Sequence, residues 1–309
     1  AYLIHTLLRL NDILNLNLKV TGLARNESKA KDKYSSYLKR NDFNLIIQDV
    51  CDPVRCTEKI DFIIHAASQA SPKFYGTDPV GTLNANVLGT NNLLHLAKKN
   101  NVESFLFFST SEVYGAVSEA QIPTKENEYG YLDPVNVRSC YGESKRLGET
   151  MCVSWLHQHN IPVKIVRPFH TYGPGMDLND GRVYADFISD VVNNRDIEMK
   201  SDGQATRAFC YISDATAAFF LILLNGKNGE AYNAGNPFQE ISIIRLAEKL
   251  VGLFPEKKLK VISMKQTGDG YLRSTVSRNS PDISKIGQLG WKPVTTIEEG
   301  FRKTIMSYE

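Results

Sequence analysis

The 309-residue sequence lacks the features of several protein classes. Its five cysteines include no CxxC pair, so neither a disulfide framework nor a metal site is indicated, and we expect reduced thiols in a cytoplasmic protein. Its net charge is only +2 and no long basic run occurs, which gives no reason to expect a nucleic acid partner. The longest apolar run, Ala215–Leu224, is far shorter than the roughly 20 residues of a membrane-spanning helix. The first residues have no signal-peptide pattern, so we expect no membrane partner.

A glycine-rich turn is also missing, because neither GxGxxG nor GxxGxxG occurs in the sequence. Such a turn holds a dinucleotide pyrophosphate at a helix N-terminus. The segment Ala1–Asp12 nevertheless has the pattern of the helix that follows it. Two explanations are open: the fold binds no dinucleotide, or the first strand and the turn lie directly upstream of Ala1 in the parent gene. The motifs described below favour the second.

Apolar strands alternate with amphipathic helices through the first 175 residues. The predicted strands are Leu18–Arg25, Phe43–Val50, Ile60–Ser68, Ser104–Ser111 and Pro162–Pro174, and the clearest helices are Val80–Asn100 and Tyr141–His159. This alternation predicts a Rossmann-type α/β fold, a doubly wound parallel sheet covered on both faces. Beyond Gly175 the elements are shorter, with Asn236–Phe254 as one clear helix. We expect a dinucleotide-binding domain over residues 1–175. Residues 176–309 should form mainly a smaller substrate-binding lobe, with some segments crossing back onto the first.

Tyr141 and Lys145 are the first candidates for chemistry, since their spacing places both on one face of a helix. A tyrosine hydroxyl with a pKa near ~10 is a poor base at neutral pH. A lysine cation one turn away, helped by a cationic nicotinamide ring, favours the phenolate and lowers that pKa. Such pairs also occur on exposed helices without a function. Of the 14 tyrosines, however, only Tyr141 has lysine four residues later, and the pair follows the polar cluster Ser109–Gly115.

Six motifs in order resemble the extended short-chain dehydrogenase/reductase superfamily, and more narrowly its NAD-dependent nucleotide-sugar epimerases, dehydratases and decarboxylases. They are HAAS, NVLGTNNLLHLAK, STSEVYG, SCYGESK, RPFHTYGPGM and TRAFCYISD. The resemblance runs from about Leu18 to Pro293 and is strongest to UDP-glucuronate decarboxylases. It implies a tightly held NAD and a nucleotide-sugar substrate, with a UDP-sugar favoured.

The resemblance implies four catalytic residues. Tyr141 would take the proton of the sugar 4-hydroxyl, and Lys145 would tune Tyr141 and bind the nicotinamide ribose. Thr110 would hydrogen-bond the same sugar oxygen and stabilise its developing charge. Glu112 would act as acid or base near C5 of the sugar. These side chains are expected at the carboxyl ends of the parallel strands, where such folds bind ligands.

The implied coenzyme contacts follow the ends of the predicted strands. They are Arg25 after the strand Leu18–Arg25, Asp49 and Val50 beside the adenine, Ala66, Ala67 and Ser68 along the pyrophosphate and ribose path, and Pro168 and Phe169 beside the nicotinamide. Arg25 stands where NAD-binding relatives commonly place an acid for the ribose 2′-hydroxyl. A guanidinium there suits a 2′-phosphate, so NADP stays open as the alternative to NAD.

The implied substrate contacts are Ser111, His170, Arg182, Arg207 and Arg278. Guanidiniums suit a diphosphate through bidentate hydrogen bonds, although each of these arginines alone could be a solvated surface charge. His170 stands where relatives usually carry asparagine and is equally explained as a loop histidine. Decarboxylases tend to place arginine two residues before the proline of PDI. Here Asn279 occupies that position, and Arg278 comes one residue earlier.

The reaction type stays open between several outcomes. Decarboxylation after oxidation at C4 is favoured, and 4-epimerisation is the main alternative. A 4,6-dehydration is disfavoured because Ser111 replaces the aspartic acid that would protonate the departing hydroxyl. A simple reductase and a catalytically silent nucleotide-binding relative are further alternatives. We also expect a homodimer, since relatives commonly pair the helix of Tyr141 and its neighbour in a four-helix bundle, although the same apolar residues can pack on the sheet.

Overall fold

The structure is a computed structural model that describes residues 1–263 and 276–309. Its helices are α1 (Tyr2–Leu14), α2 (Glu27–Lys33), α3 (Lys73–Thr77), α4 (Pro79–Asn100), α5 (Ser139–His159), α6 (Val183–Val192), α7 (Ile212–Asn225), α8 (Ile243–Leu253), α9 (Ser284–Gly287) and α10 (Ile297–Met306). Its strands are β1 (Val20–Ala24), β2 (Phe43–Ile47), β3 (Phe62–His65), β4 (Ser104–Phe108), β5 (Val163–Pro168), β6 (His170–Tyr172), β7 (Ile197–Met199), β8 (Thr206–Tyr211), β9 (Ala231–Ala234), β10 (Glu240–Ser242), β11 (Val261–Ser263) and β12 (Arg278–Asn279). Short 3₁₀ helices cover Ser111–Tyr114, Glu119–Gln121, Pro237–Gln239 and Pro255–Lys257.

A parallel sheet in the order β3-β4-β5-β9 forms the centre of the molecule. Strand β4 lies inside it, with Phe105 opposite Ile63 on one side and Val163 on the other. Helices α4 and α5 cover one face of this sheet and α7 covers the other. Because both faces are buried, β4 is apolar almost throughout rather than alternating. The structure therefore confirms the predicted doubly wound α/β fold.

A second parallel pair, β1 with β2, carries the N-terminal helices. Its core consists of Leu8 of α1, Ala30 and Tyr34 at α2, and Val20 and Phe43 of the two strands. Within residues 1–263 and 276–309, no ladder hydrogen bonds join this pair to the four-stranded sheet. The predicted parallel strands thus form in two separate sheets.

The C-terminal part is organised around β8. This strand pairs antiparallel with β10 and parallel with both β6 and β12. Its core includes Phe187, Phe209 and Phe301, and the ring of Phe301 stacks on Tyr172 with centroids 3.9 Å apart. The chain does not stay in this lobe, since α7 packs on the central sheet and β9 pairs with β5. The expected return of late segments to the first lobe is therefore observed, while the boundary near residue 175 stays a prediction.

Two predicted elements are wrong. Asn236–Phe254 is not one helix, because Glu240–Ser242 pairs with β8 and the Ser242 side chain then caps the helix that begins at Ile243. Pro162–Pro174 is not one strand, because the chain leaves the central sheet after Pro168. Its continuation, β6, pairs with β8 instead.

Two further features concern the chain as a whole. In the described ranges, no helix combines the length and the apolar character needed to cross a membrane. All five cysteines are unpaired, and Cys140, Cys152 and Cys210 among them are buried.

Candidate active site

The polar cluster after β4 lies at the carboxyl end of the central sheet. The backbone N–H of Ser109 donates to Val166 O at 2.8 Å, which keeps this residue in register with β5. Thr110 then caps the 3₁₀ helix, its Oγ1 accepting a hydrogen bond from the Glu112 N–H at 3.3 Å. The cluster therefore shapes the turn and also presents its side chains at the edge where parallel sheets bind ligands.

The structure brings Tyr141, Lys145 and Thr110 together. Tyr141 and Lys145 lie in the first two turns of α5, and both are buried. The Thr110 side chain lies close enough to the Tyr141 hydroxyl to lower its pKa. Lys145 Nζ donates to Phe108 O at 2.6 Å and lies 5.9 Å from the centroid of the Tyr141 ring. The carboxyl end of β4 therefore anchors the lysine beside the tyrosine.

Burial dominates the electrostatics of Tyr141 and Lys145. Removal from water raises the pKa of Tyr141 to about 12, and the Glu112 charge adds to this, while the Thr110 side chain and Arg182 act in the opposite direction. Burial likewise lowers the pKa of Lys145 to about 7. Burial therefore raises the pKa of Tyr141, and the lowering expected from Lys145 together with a nicotinamide cation stays a prediction.

Glu112 lies beside the start of α5 and is paired. Its Oε2 is 3.2 Å from Arg138 Nη1, and its backbone oxygen faces Gly142. A Cβ at Gly142 would come within 3.4 Å of that oxygen and within 2.7 Å of a Leu132 methyl. Glycine at this position therefore allows the Glu112 segment and α5 to approach closely.

The described residues fit a dinucleotide at its two ends. At the adenosine end, Arg25 donates to Gln69 Oε1 at 3.2 Å and lies 4.0 Å from the Asp49 carboxylate. The hydrogen bond from the Cys51 N–H lowers the pKa of Asp49, which is therefore ionised. Tyr141 and Lys145 are the residues that the sequence predicts at the nicotinamide end. Between the two ends, the buried Ser68 hydroxyl has no hydrogen-bond partner within the described chain.

The contacts of the other residues expected at the coenzyme do not by themselves indicate a ligand. Ala66 is exposed and Ala67 partly buried in the loop after β3. Val50 belongs to the hydrophobic core against α4. Pro168 ends β5, and Phe169 is buried against Gly235 and 6.1 Å from the Tyr114 ring centroid. Their places at the strand ends agree with the prediction, but the packing of Val50 and Phe169 accounts for those two without a ligand.

Ser111 and Asn279 contact each other next to Thr110, and His170 lies on the same sheet face as Asn279; these three are called the polar wall. The Ser111 hydroxyl lies 3.5 Å from Asn279 Nδ2. His170 and Asn279 pair with Phe209 and Arg207 of β8, two residues apart, so their side chains emerge on the same face of that sheet. Asn279 Oδ1 and His170 Nδ1 are both buried without a partner in the ranges described. Burial, together with Arg207 and Arg182, holds the pKa of His170 well below its usual value, so the ring is neutral.

The three predicted arginines differ in what they contact. Arg182 lies near Tyr141 and donates to Ala70 O at 3.1 Å. Arg207 donates to the carbonyls of Val276 at 2.9 Å and Ser277 at 3.1 Å, so its guanidinium is fixed against the segment before β12. Arg278 forms two hydrogen bonds with the Glu240 carboxylate, at 2.6 and 3.1 Å. The Arg278 guanidinium is therefore paired with Glu240, whereas the neighbouring Asn279 contacts Ser111.

Sequence reasoning missed two contributors to the site. Arg138 is part of the RSCYGESKR motif but had no role assigned to it. Tyr75, in the ASPKFYGTDP stretch, is buried and stacks on Tyr141 with ring centroids 5.2 Å apart. The position of Arg138 directly before the helix of Tyr141 was a usable sequence signal. Tyr75 lies in α3, a segment to which the sequence assigned no element or role, so nothing in the sequence indicated it.

Comparisons with known proteins identify relatives over most of the chain. The model of the NAD-dependent epimerase/dehydratase family matches residues 2–235. UDP-glucuronic acid decarboxylase 1 of Xenopus tropicalis is 38% identical over 280 residues, covering 89% of this chain and 62% of the relative. UDP-glucuronic acid decarboxylase 6 of Arabidopsis thaliana is 37% identical over 273 residues, covering 88% of this chain and 76% of the relative. The chain therefore spans 62% to 76% of the length of these two proteins.

Solved structures resemble the fold closely. The UDP-glucuronic acid 4-epimerase from Bacillus cereus, in complex with UDP-glucuronic acid and NAD, aligns with a TM-score of 0.79. It is 23% identical, and the alignment covers 99% of this chain and 94% of that structure. At this identity the likeness establishes the Rossmann-type fold alone.

Proposed function

The chain belongs to the NAD-dependent epimerase/dehydratase family, and on that premise we propose that it transforms a nucleotide sugar through transient oxidation at C4. We further propose UDP-glucuronate as the substrate and decarboxylation as the reaction. The observation that carries the proposal is the meeting of three side chains at the carboxyl end of β4: Tyr141, Thr110 near its hydroxyl, and Lys145 with Nζ 5.9 Å from its ring centroid. The two curated relatives support the choice of substrate and reaction.

In the first step, residues of this chain remove one proton from the sugar. Tyr141 accepts the proton of the sugar 4-hydroxyl, and Thr110 hydrogen-bonds the same oxygen as it becomes a carbonyl. NAD, when bound, supplies the acceptor for the C4 hydride and later its donor. Lys145, with Nζ held by Phe108 O, binds the ribose and favours the Tyr141 phenolate whenever it carries its charge.

The second step needs an electron sink and a proton at C5. With a ketone at C4, the bond from C5 to the carboxylate breaks, carbon dioxide leaves, and the electron pair moves to the ketone oxygen. Glu112 then delivers a proton to C5, directly or through water, and this restores the ketone. Ser111 is far too weak an acid to assist the loss of a hydroxyl from C6, so dehydration is disfavoured.

For the coenzyme we propose NAD rather than NADP. Arg25, which could hold a 2′-phosphate, faces the Asp49 carboxylate and donates to Gln69. The residues that would hold NAD are Arg25, Asp49, Val50, Ala66, Ala67, Ser68, Pro168 and Phe169, together with Tyr141 and Lys145. Of these, Ser68 is supported by its buried, unpartnered hydroxyl.

The UDP-sugar would lie against the wall of Ser111 and His170, with Arg182 and Arg207 near its diphosphate. Arg278 is the weaker candidate for that role because of its ion pair with Glu240.

A second candidate function is 4-epimerisation, and one observation favours it. Asn279, a neutral amide whose oxygen has no partner among the described residues, faces Ser111 where decarboxylases tend to carry arginine. An amide oxygen accepts a hydrogen bond from a sugar hydroxyl but not from a carboxylate. Epimerisation would need only Tyr141, Thr110 and space for the sugar to turn.

Incubation of the purified chain and NAD with UDP-glucuronate, and separately with neutral UDP-hexoses, tests the proposal. We expect release of carbon dioxide and formation of UDP-xylose, read by mass spectrometry and NMR. Unchanged UDP-glucuronate together with interconversion of a neutral UDP-hexose would favour the epimerase. If no nucleotide sugar is converted, the chain is a silent relative and the proposed function is wrong.

We also propose a cytoplasmic homodimer. The unpaired cysteines support the location, and the exposed leucines Leu83 and Leu88 of α4 and Leu147 of α5 support pairing through these helices. A monomer in light scattering at micromolar concentration would contradict the dimer.

A further inference from the structure

Arg138 lies between a carboxylate and an aromatic ring at the start of α5. Its Nη1 is 3.2 Å from Glu112 Oε2, and its side chain is only 20% exposed. On its other side, the guanidinium carbon lies 5.9 Å from the centroid of the Tyr75 ring. Its Nε atom is buried and has no hydrogen-bond partner in the described part of the chain. Two contacts of different kinds therefore fix this guanidinium in the wall of the site.

Tyr75 contacts both Arg138 and Tyr141. The Tyr75 and Tyr141 rings are nearly parallel, at 16°, with centroids 5.2 Å apart. Tyr75 is buried, and its hydroxyl donates to Ala70 O at 3.1 Å. The guanidinium, the Tyr75 ring and the Tyr141 ring thus form consecutive layers. A displacement of the outer layer would change the support of the Tyr141 ring.

Charged and titratable groups face Tyr141 from each element packed around it. Glu112 comes from the 3₁₀ helix after β4, Tyr75 from α3, Arg182 from the segment before α6, and Cys140 and Lys145 from α5 itself. After burial, the Glu112 charge is the largest cause that raises the pKa of Tyr141. Arg138 is the guanidinium paired with that charge.

We infer that Arg138 is a positioning residue for Tyr141, which it serves by pairing with Glu112 and by covering the Tyr75 ring. Without Arg138, the Glu112 carboxylate would stand unpaired beside the tyrosine hydroxyl, and the phenolate would form less readily. Nothing in the Arg138 contacts requires it to touch the substrate. The inference rests on the proposed function in one respect: that function is what makes the protonation of Tyr141 matter for catalysis.

Titration of Tyr141 tests the inference without any turnover. A fluorotyrosine, whose pKa is intrinsically lower, is placed at position 141 and followed by fluorine NMR as the pH rises. We expect Arg138→Gln to raise the titration midpoint by about one pH unit, and Arg138→Lys to restore most of it because the charge is kept. Glu112→Gln should lower the midpoint. In an Arg138→Gln/Glu112→Gln double variant, the loss of Arg138 should have little further effect.

Arg146 provides a matched control on the same helix. It donates to Val113 O at 2.7 Å and Gly130 O at 3.1 Å, so it anchors the segment that carries Glu112 without pairing with that carboxylate. Arg146→Gln should lower the melting temperature and leave the Tyr141 midpoint unchanged. An equal shift of the Tyr141 midpoint in Arg146→Gln and Arg138→Gln would overturn the inference. So would an unchanged midpoint in Arg138→Gln, or an unchanged midpoint in Glu112→Gln. Should Arg138→Gln fail to fold, Glu112→Gln alone decides.

Failure of the proposed function would look different. If no nucleotide sugar is converted but the midpoints move as expected, the proposed function fails and the role of Arg138 stands. If sugars are converted but the midpoints do not move, the role of Arg138 fails. Where both hold, the pH profile of turnover should shift in Arg138→Gln by the same amount as the NMR midpoint.

Discussion

Tyr141→Phe should lower turnover of the nucleotide sugar by about 10²-fold or more while the nucleotide still binds. The substitution removes only the hydroxyl that we propose accepts the sugar proton. The phenylalanine ring can keep its place on Tyr75, since the stacking involves the ring faces and not the hydroxyl. Thr110 would keep its cap on the 3₁₀ helix.

Steady-state turnover of UDP-glucuronate and the affinity for UDP, measured on the same samples, separate the two effects. Tyr131→Phe is a suitable control because Tyr131 is 70% exposed, and the loss of its hydroxyl should leave turnover unchanged. Near-normal turnover in Tyr141→Phe would refute the assigned base. A loss of UDP affinity as large as the loss of turnover would point to a structural role for the hydroxyl.

Arg167→Met should lower the free energy of unfolding by about 3–5 kcal/mol, because it leaves the mostly buried Glu149 carboxylate without its partner. The Arg167 side chain is 2% exposed and forms two hydrogen bonds with Glu149, at 2.8 and 2.6 Å. It also donates to the hydroxyls of Tyr114 and Tyr129, both at 3.0 Å. The Ser109 hydroxyl donates to the same Glu149 carboxylate, so this network supports the turn that precedes Thr110.

Urea denaturation of the wild-type protein and the variant measures this cost. Lys303→Ala is the control, since Lys303 and Glu299 form an exposed pair four residues apart on α10 that contributes little to stability. An Arg167→Met/Glu149→Leu double variant should regain much of the stability, because no unpaired charge is left. If Arg167→Met costs no more than Lys303→Ala, the buried pair does not stabilise the fold as described.

The first half of the fold is predictable because its strands are buried on both faces. The apolar run of Ser104–Phe108 has that pattern, and the structure places it inside the parallel sheet. The C-terminal part is not predictable in the same way, since its strands are only two to six residues long. Glu240–Ser242 shows the reason. Its pairing with β8 overrides the helical pattern of the residues around it, and no local signal marks that pairing.

The core of the site was predictable from two features of the sequence. One is the four-residue spacing of Tyr141 and Lys145, and the other is the order of the motifs, which places Thr110 in the strand end before their helix. What the sequence could not provide is the environment of these groups. Burial raises the pKa of Tyr141, and burial depends on packing between distant segments. Likewise, the ion pair of Arg278 with Glu240 joins residues 38 positions apart, so the sequence alone could not show that Arg278 is engaged.

Conversion of UDP-glucuronate carrying deuterium at C4 tests transient oxidation at that carbon most directly. We predict that the UDP-xylose formed keeps the deuterium at C4, because the hydride that leaves this carbon is the one that returns. No net reduction of added NAD should accompany the reaction. Loss of the deuterium from the product, or steady accumulation of deuterated NADH, would contradict the account.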